Sequence, residues 1–435
     1  MDRREYQRHP VTLEKALEYS AGADYMVAFG INVPHDNMKN GDPGELFRSI
    51  PHDSLPYFSE IGSDIFRSCL DIGSTIMILD VELYSGKSET KFKFAEDQNN
   101  TYGTIEPLNN CVLNVLDSFG IRPLTIATGQ GYHYVWRVDN ETSQSQMLTD
   151  LGKSGLYEPE MDMLEFLGQA RFGDRIADHY SSRREWEGRR NIMGEGARWH
   201  ATGRLMEYLS NIVMRLAPEY GIDHPINMGD IRSNFKDNEG INLDISSFEA
   251  PIQMRDIRVP FTTHQKQLVA GNKDAPVRVA IPRLIPSYNN HLGGEMQVPL
   301  EDLVRLRDNY WDAHNFAQTV KMEIPENSWG VQNMIESYMK TELAQFHHEF
   351  DNSSPDFREF DWDSNDWLNP NTWKDIVQVH YNNNRDPALA KQLGMFIGSK
   401  IKFETGWDHA KYPSFYKGKN NIRAQASMFH GNDLV

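Results

Sequence analysis

The stretch TIMILDVELYSG, residues 75–86, is apolar through 76–79, then places Asp80 and Glu82 one residue apart before a Ser-Gly turn. It reads as a buried strand with an acidic end. Side chains at i and i+2 of a strand share a face, with Cα atoms about 6–7 Å apart. Two carboxylates held that close repel each other unless a proton or a cation lies between them. Either the strand ends there with both acids solvated, or it carries half of a cation site, and the rest of the chain has to separate these readings.

With 435 residues, the chain exceeds one small core and predicts two domains, or one large domain with an extension. A hydrophobic content of 39% with 11% aromatic residues is that of a folded protein. The opening MDRREYQRHPVTLEKALEYS has no apolar core of a secretory signal, and no aliphatic run approaches a membrane span. Cys69 and Cys111 are the only cysteines, which points to a reducing compartment and excludes four-cysteine zinc or iron–sulfur centres. The expectation is an intracellular protein of the cytoplasm or nucleoid, or one encoded by a virus or plasmid in a host cytoplasm, with no membrane partner.

A net charge of −18 argues against a chain that coats nucleic acid with its whole surface. The charge is uneven, however. Residues 252–283 hold six Lys/Arg against two Asp, whereas 349–375 hold eight acids against Arg358 and Lys374. A local basic groove is compatible with that distribution.

The pattern predicts a helix over 11–19, a strand over 25–33, a helix over 61–70, the acidic strand, a helix over 109–119 and a hairpin over 123–138. A mainly helical stretch over about 140–225 follows, then strands over 240–245, 255–266 and 277–284, then helices from about 299. Hairpins alongside separate helices make the class α+β.

Two further pieces carry chemistry. In TGQGYHYVW, residues 128–136, paired glycines permit a tight turn whose N–H groups can face an anion, with His133 on the outgoing strand. In INLDISSFEAPIQMRDIRVPFTTHQKQLVAG, residues 241–271, Asp244 ends a short apolar strand as Asp80 does. Downstream, Arg255, Arg258, His264 and Lys266 offer cations suited to a triphosphate, or else a solvated basic loop. Asp80, Glu82 and Asp244 together could hold one or two Mg²⁺ ions, which favour carboxylates plus substrate phosphates. That set describes a nucleotidyl-transfer site.

The order of these motifs resembles the archaeo-eukaryotic primase superfamily over residues of about 21–306. Asp80-Val81-Glu82 is similar to its DxD/DxE motif, in the form seen in the primase-polymerase branch. TGQGYHYVW is similar to its Gly-rich turn ending in His. Asp244 followed by RVPFTTHQK is similar to its third motif as found in the small catalytic subunit of replicative primases.

The resemblance implies an α+β core with an RRM-like antiparallel sheet and flanking helices over 1–306, interrupted by the helical insertion at about 140–225. A mainly helical C-terminal domain would cover 307–435. It implies Asp80, Glu82 and Asp244 as catalytic metal carboxylates for Mg²⁺ or Mn²⁺. Thr128, Gln130, His133, Arg255, Arg258, His264 and Lys266 would be nucleotide-binding. The activity implied is template-dependent DNA primase or polymerase chemistry on a single-stranded DNA template, with a primer and NTP or dNTP. No zinc is expected, because two cysteines cannot build the zinc element many relatives carry. Gln130 stands where some relatives have a basic residue, which makes nucleotide addition the firmer expectation than primer initiation.

The segment RREWEGRRNIMGEGARWHATGR, residues 183–204, offers Arg183, Arg184, Arg189 and Arg190 to template phosphates, or forms an exposed helix with internal ion pairs. The acidic aromatic segment 349–375 could pack on the helical domain or dock a basic groove. A single-strand-binding protein or a helicase is the candidate partner in the second case. Rival functions are a catalytically silent replisome scaffold that binds nucleic acid, and a metal-dependent phosphodiesterase.

Overall fold

The structure is a computed structural model, and it describes residues 1–30, 47–85, 93–152, 187–228, 239–245, 248, 255–265, 268, 275–289 and 294–345, the side chains of 47–49, 95, 187–196 and 287–289 excepted. The expectations for Lys266, Arg183, Arg184 and the segment 349–375 lie outside these residues. Arg189 and Arg190 lie on the helix Glu187–Leu216, with their side chains outside the description.

The strands are β1 (Met26–Phe29), β2 (Phe47–Ile50), β3 (Asp64–Ser68), β4 (Ser74–Ser85), β5 (Leu124–Ala127), β6 (Gly131–Asp139) and β7 (Ile226–Met228), then β8 (Glu239–Asp244), β9 (Asp256–Arg258), β10 (Thr263–His264), β11 (Arg278–Val279), β12 (Ile281–Asn289) and β13 (Gly294–Gln297). Seven of them form a sheet in the order β13-β12-β5-β6-β4-β8-β7, antiparallel throughout except for the β7–β8 pair. A second antiparallel sheet runs β2-β1-β3-β9, and β10 pairs with β11. The chain is mixed α+β, with a mostly antiparallel sheet and several helices.

The period of two along β4 divides the large sheet into unlike faces. Leu79, Val81 and Leu83 are fully buried, and by register Tyr134 and Tyr132 of β6 and Leu243 of β8 stand beside them. The helix Gln98–Ser118 covers this face. Its Tyr102 ring lies 5.2 Å from that of Tyr132, and Asn109 accepts from the Tyr134 hydroxyl at 2.9 Å. Burying a Leu or Val side chain stabilises by about 1.5–3 kcal/mol, so this apolar row holds the middle of the sheet in register. The opposite face carries Ile76 and Ile78, then turns polar at Asp80.

The helix expected over 61–70 is instead a short helix, Leu55–Glu60, followed by β3. Pairing decides the outcome: β3 sits between β1 and β9, and both neighbours supply backbone partners that a local pattern cannot reveal. The side chains of β3 do not follow a simple in-and-out rule either. Arg67 is buried, donating to Tyr19 O at 3.0 Å and to Asp71 Oδ2 at 2.5 Å.

The helices Leu300–Asp308, Tyr310–Ala317 and Ser328–Tyr338 contribute Leu303, Ala313, Val331 and Met334 to the same hydrophobic cluster as the large sheet. The division expected after residue 306 therefore falls inside a helix that belongs to this core. Among the described residues, no helix is long and apolar enough to cross a membrane.

Candidate active site

β4 lies between β6 and β8, and the two registers assemble the site. Asp80 stands opposite His133 on β6 and opposite Asp244 on β8. Glu82 stands opposite Gly131 and Asn242. Directly opposed residues of an antiparallel pair share a face, with Cα atoms about 4.5–5.5 Å apart. Asp80, Glu82, Asp244 and His133 thus occupy one face of three neighbouring strands, beyond the apolar patch of Ile76 and Ile78.

Three side-chain polar atoms on this face of the strands lack a partner among the described residues. His133 Nε2 is 3.5 Å from Asp80 Oδ2. Asp80 Oδ1, His133 Nδ1 and Asn242 Nδ2 are each buried with no hydrogen-bond partner among the described residues. A buried polar atom left this way costs about 1–3 kcal/mol, so three of them on adjacent strands are a concentrated cost. Among the described residues, no group of three or more His, Cys, Asp or Glu is drawn together as a metal cage. The donor set itself is all oxygen and anionic, with one buried carboxylate oxygen unclaimed, and that chemistry fits a hard divalent cation.

The turn between β5 and β6 is built to bring backbone close to this row. A Cβ on Gly131 would lie 1.8 Å from Val81 O and 2.8 Å from the Glu82 Cα, so only glycine lets β6 approach β4 beside Glu82. Thr128 donates its N–H to Gly131 O at 2.9 Å, its hydroxyl reaches the same carbonyl at 3.3 Å, and its own carbonyl accepts from Tyr102 Oη at 2.7 Å. The expected nucleotide ligand Thr128 is thus a buried turn-closing residue. Gln130 is partly exposed, and its carbonyl accepts from Leu83 N–H at 3.0 Å.

Beneath the turn, Gln98 Nε2 donates to Gly129 O at 3.1 Å. The buried Arg307 donates to Gln98 Oε1 at 2.9 Å and to Ala127 O at 2.6 Å. Arg307 is supplied by the helix that spans the expected domain division.

The basic run after Asp244 splits into residues of different kinds. His264 comes to the turn: a Cβ on Gly129 would lie 2.6 Å from His264 Nε2, so the imidazole sits directly on that glycine. Arg258 turns inward instead of facing a triphosphate. It is buried, stacks over Phe66 at 4.4 Å, and places Nη1 at 3.0 Å from Asp64 Oδ2 and 2.6 Å from Thr263 O. Asp64 also accepts from Gln265 N–H at 2.8 Å, Gln265 Nε2 at 3.1 Å and Thr263 Oγ1 at 3.0 Å. Burial pushes the Asp64 carboxyl above its ordinary range, against the pull of Arg258 and these donors. The loop is therefore neither a solvated basic loop nor, at Arg258, a phosphate cradle. Arg255 precedes β9, with its carbonyl accepting from Cys69 N–H at 2.8 Å.

Asp64, Gln98, Arg307 and Asn242 were not singled out by the sequence patterns. Asp64 was hidden by the helical reading of 61–70. Asn242 had a legible signal, as a polar residue two before Asp244 inside an apolar strand. Compared with models of known protein families, with curated proteins and with solved structures, the chain matches none.

Proposed function

We propose that the chain is a divalent-metal-dependent nucleotidyltransferase, a DNA primase-polymerase of the archaeo-eukaryotic primase kind. One observation carries this reading: Asp80, Glu82, Asp244 and His133 share one face of three adjacent strands, with Asp80 Oδ1 buried and unclaimed. Residues far apart in sequence, Asp80 and Glu82, His133, and Asp244, lie side by side on β4, β6 and β8, and this supports the reading.

In this reading Asp80, Glu82 and Asp244 hold Mg²⁺ or Mn²⁺. Such an ion, when bound, offsets charge on the attacking and leaving oxygens of an in-line phosphoryl displacement. Glu82 and Asp244 flank Asp80 so that the primer 3′-hydroxyl and the nucleotide α-phosphate meet over the row, with pyrophosphate leaving. His133 Nε2, beside Asp80, orients the phosphates. His264 and the N–H groups of the Gly129–Gly131 turn receive the far end of the triphosphate. Single-stranded DNA serves as template, with NTP or dNTP as the incoming nucleotide.

The test is incubation of the full chain with single-stranded DNA, with and without primer, each nucleotide type and Mg²⁺ or Mn²⁺. The expected result is strand extension, lost in Asp80→Ala/Glu82→Ala while DNA binding persists. Activity of the chain in replication that survives this double substitution would make it a scaffold. Shortening of the strand in place of extension would make it a phosphodiesterase.

A further inference from the structure

Asn242 stands directly opposite Glu82 and, two residues before Asp244, on the same face of β8. It is wholly buried, yet Nδ2 has no partner among the described residues. Its Oδ1 is occupied: Asn227 of β7, its partner across the single parallel pair of the sheet, donates Nδ2–H to it at 3.2 Å. The amide is therefore oriented from behind, oxygen toward Asn227, leaving a donor for the carboxylate row. The reverse orientation would set a carbonyl oxygen against anions. Directly opposed Cβ atoms lie about 4.5–5.5 Å apart, within reach of a donor on one side chain and a carboxylate on the other.

We infer that Asn242, oriented by Asn227, is a positioning residue that donates its amide N–H to the Glu82 carboxylate and fixes it in the cation-binding arrangement. The inference rests on the metal-site reading above. One carboxylate oxygen of Glu82 takes the amide hydrogen, and the carboxylate is thereby aimed at the cation. The charge of the row is unchanged, and the added hydrogen bond holds Glu82 toward Asp80. Such outer partners of a ligating group commonly set metal affinity, with losses of about 10–100-fold on removal.

The test uses the full chain and Mn²⁺ alone as the probe, with free Mn²⁺ followed by electron paramagnetic resonance and folding followed by thermal melting. Asn242→Leu, of similar volume without the donor, is expected to weaken Mn²⁺ binding by about tenfold with a cooperative melt retained. In a Glu82→Gln background, the same substitution is expected to cost nothing further, because its effect passes through Glu82. Wild-type Mn²⁺ affinity in Asn242→Leu, or a loss that adds in full to that of Glu82→Gln, overturns the inference. If Asn242→Leu does not fold, Asn227→Ala removes the orienting donor from outside the row. It is expected to weaken Mn²⁺ in the same direction by a smaller factor, and unchanged binding overturns the inference. A wild-type chain that binds no Mn²⁺ overturns the metal reading and this inference with it. Wild-type binding that Asp80→Ala abolishes and Asn242→Leu leaves intact overturns this inference alone.

Discussion

Two charged regions of the molecule were built from the same kinds of residue to opposite ends. Around Asp64, both carboxylate oxygens are taken by donors from Arg258, Thr263 and Gln265, and the pair is sealed from solvent. Around Asp80, Oδ2 lies 3.5 Å from His133 Nε2, and Oδ1 has no hydrogen-bond partner among the described residues. A completed ion pair holds a loop in place, because every group in it has lost its reason to move. A buried carboxylate oxygen without a partner costs stability and has capacity left for a ligand. The difference separates structure from chemistry more sharply than charge does, since Arg258 lies in a basic stretch of the sequence and binds inward.

The contrast breaks most visibly in catalysis. Asp80→Ala is expected to reduce primer extension by at least about a thousandfold, the several kcal/mol that a bound divalent ion supplies to the transition state. Its melting temperature should equal or exceed that of the wild type, because a like charge has been removed. A melt lowered by this substitution would mean that the row is a structural network.

The converse substitution belongs to the closed region. Arg258→Ala leaves Asp64 buried and unpaired and is expected to cost about 3–5 kcal/mol in chemical denaturation, the usual result of breaking a buried pair. A cost under about 1 kcal/mol would place Arg258 with the exposed ion pairs and reopen its role at the nucleotide.

Gly131→Ala is expected to have a smaller effect than either. Its methyl group would meet Val81 O, so β6 must move from β4 at the level of Glu82. Overpacking of this kind costs about 1–3 kcal/mol, read by denaturation, and should impair extension more than its stability loss explains.

The last effect concerns pH. Burial pushes the carboxyl of Asp256, at the start of β9, from 3.8 up to about 7, against the pull of Arg255 and Arg258. Between those values the folded chain keeps a proton that the unfolded chain has lost. Stability therefore falls as pH rises through this window and levels off above it. Asp256→Asn should flatten that fall, raising the melting temperature by a few degrees at about pH 8 and leaving it nearly unchanged at about pH 4. Equal pH profiles for the two proteins would show that Asp256 titrates alike in both states.

Legibility in the sequence followed the range of the interaction concerned. The strand at 74–85, the hairpin at 124–139 and the helix at 10–19 were readable because turn residues and apolar periodicity act locally. The strand Asp64–Ser68 was not, because its two neighbours come from 26–29 and 256–258. With that strand misread, Asp64 could not be seen as the partner that turns Arg258 inward. Arg307 lay past the expected division, although it supports the Gly-rich turn.

By itself, the sequence determined that Asp80 and Glu82 share a face, because a strand alternates with period two whatever it pairs with. It equally required a glycine-rich turn before His133. Only the tertiary structure decided that Asp244, and not Leu243, stands opposite Asp80, since a slip of one residue would turn the whole of β8 over and bury the acid among the tyrosines. Register is settled by packing against the helix Gln98–Ser118 and by the neighbouring strands. That information is spread over the chain, and no short stretch of it contains the answer.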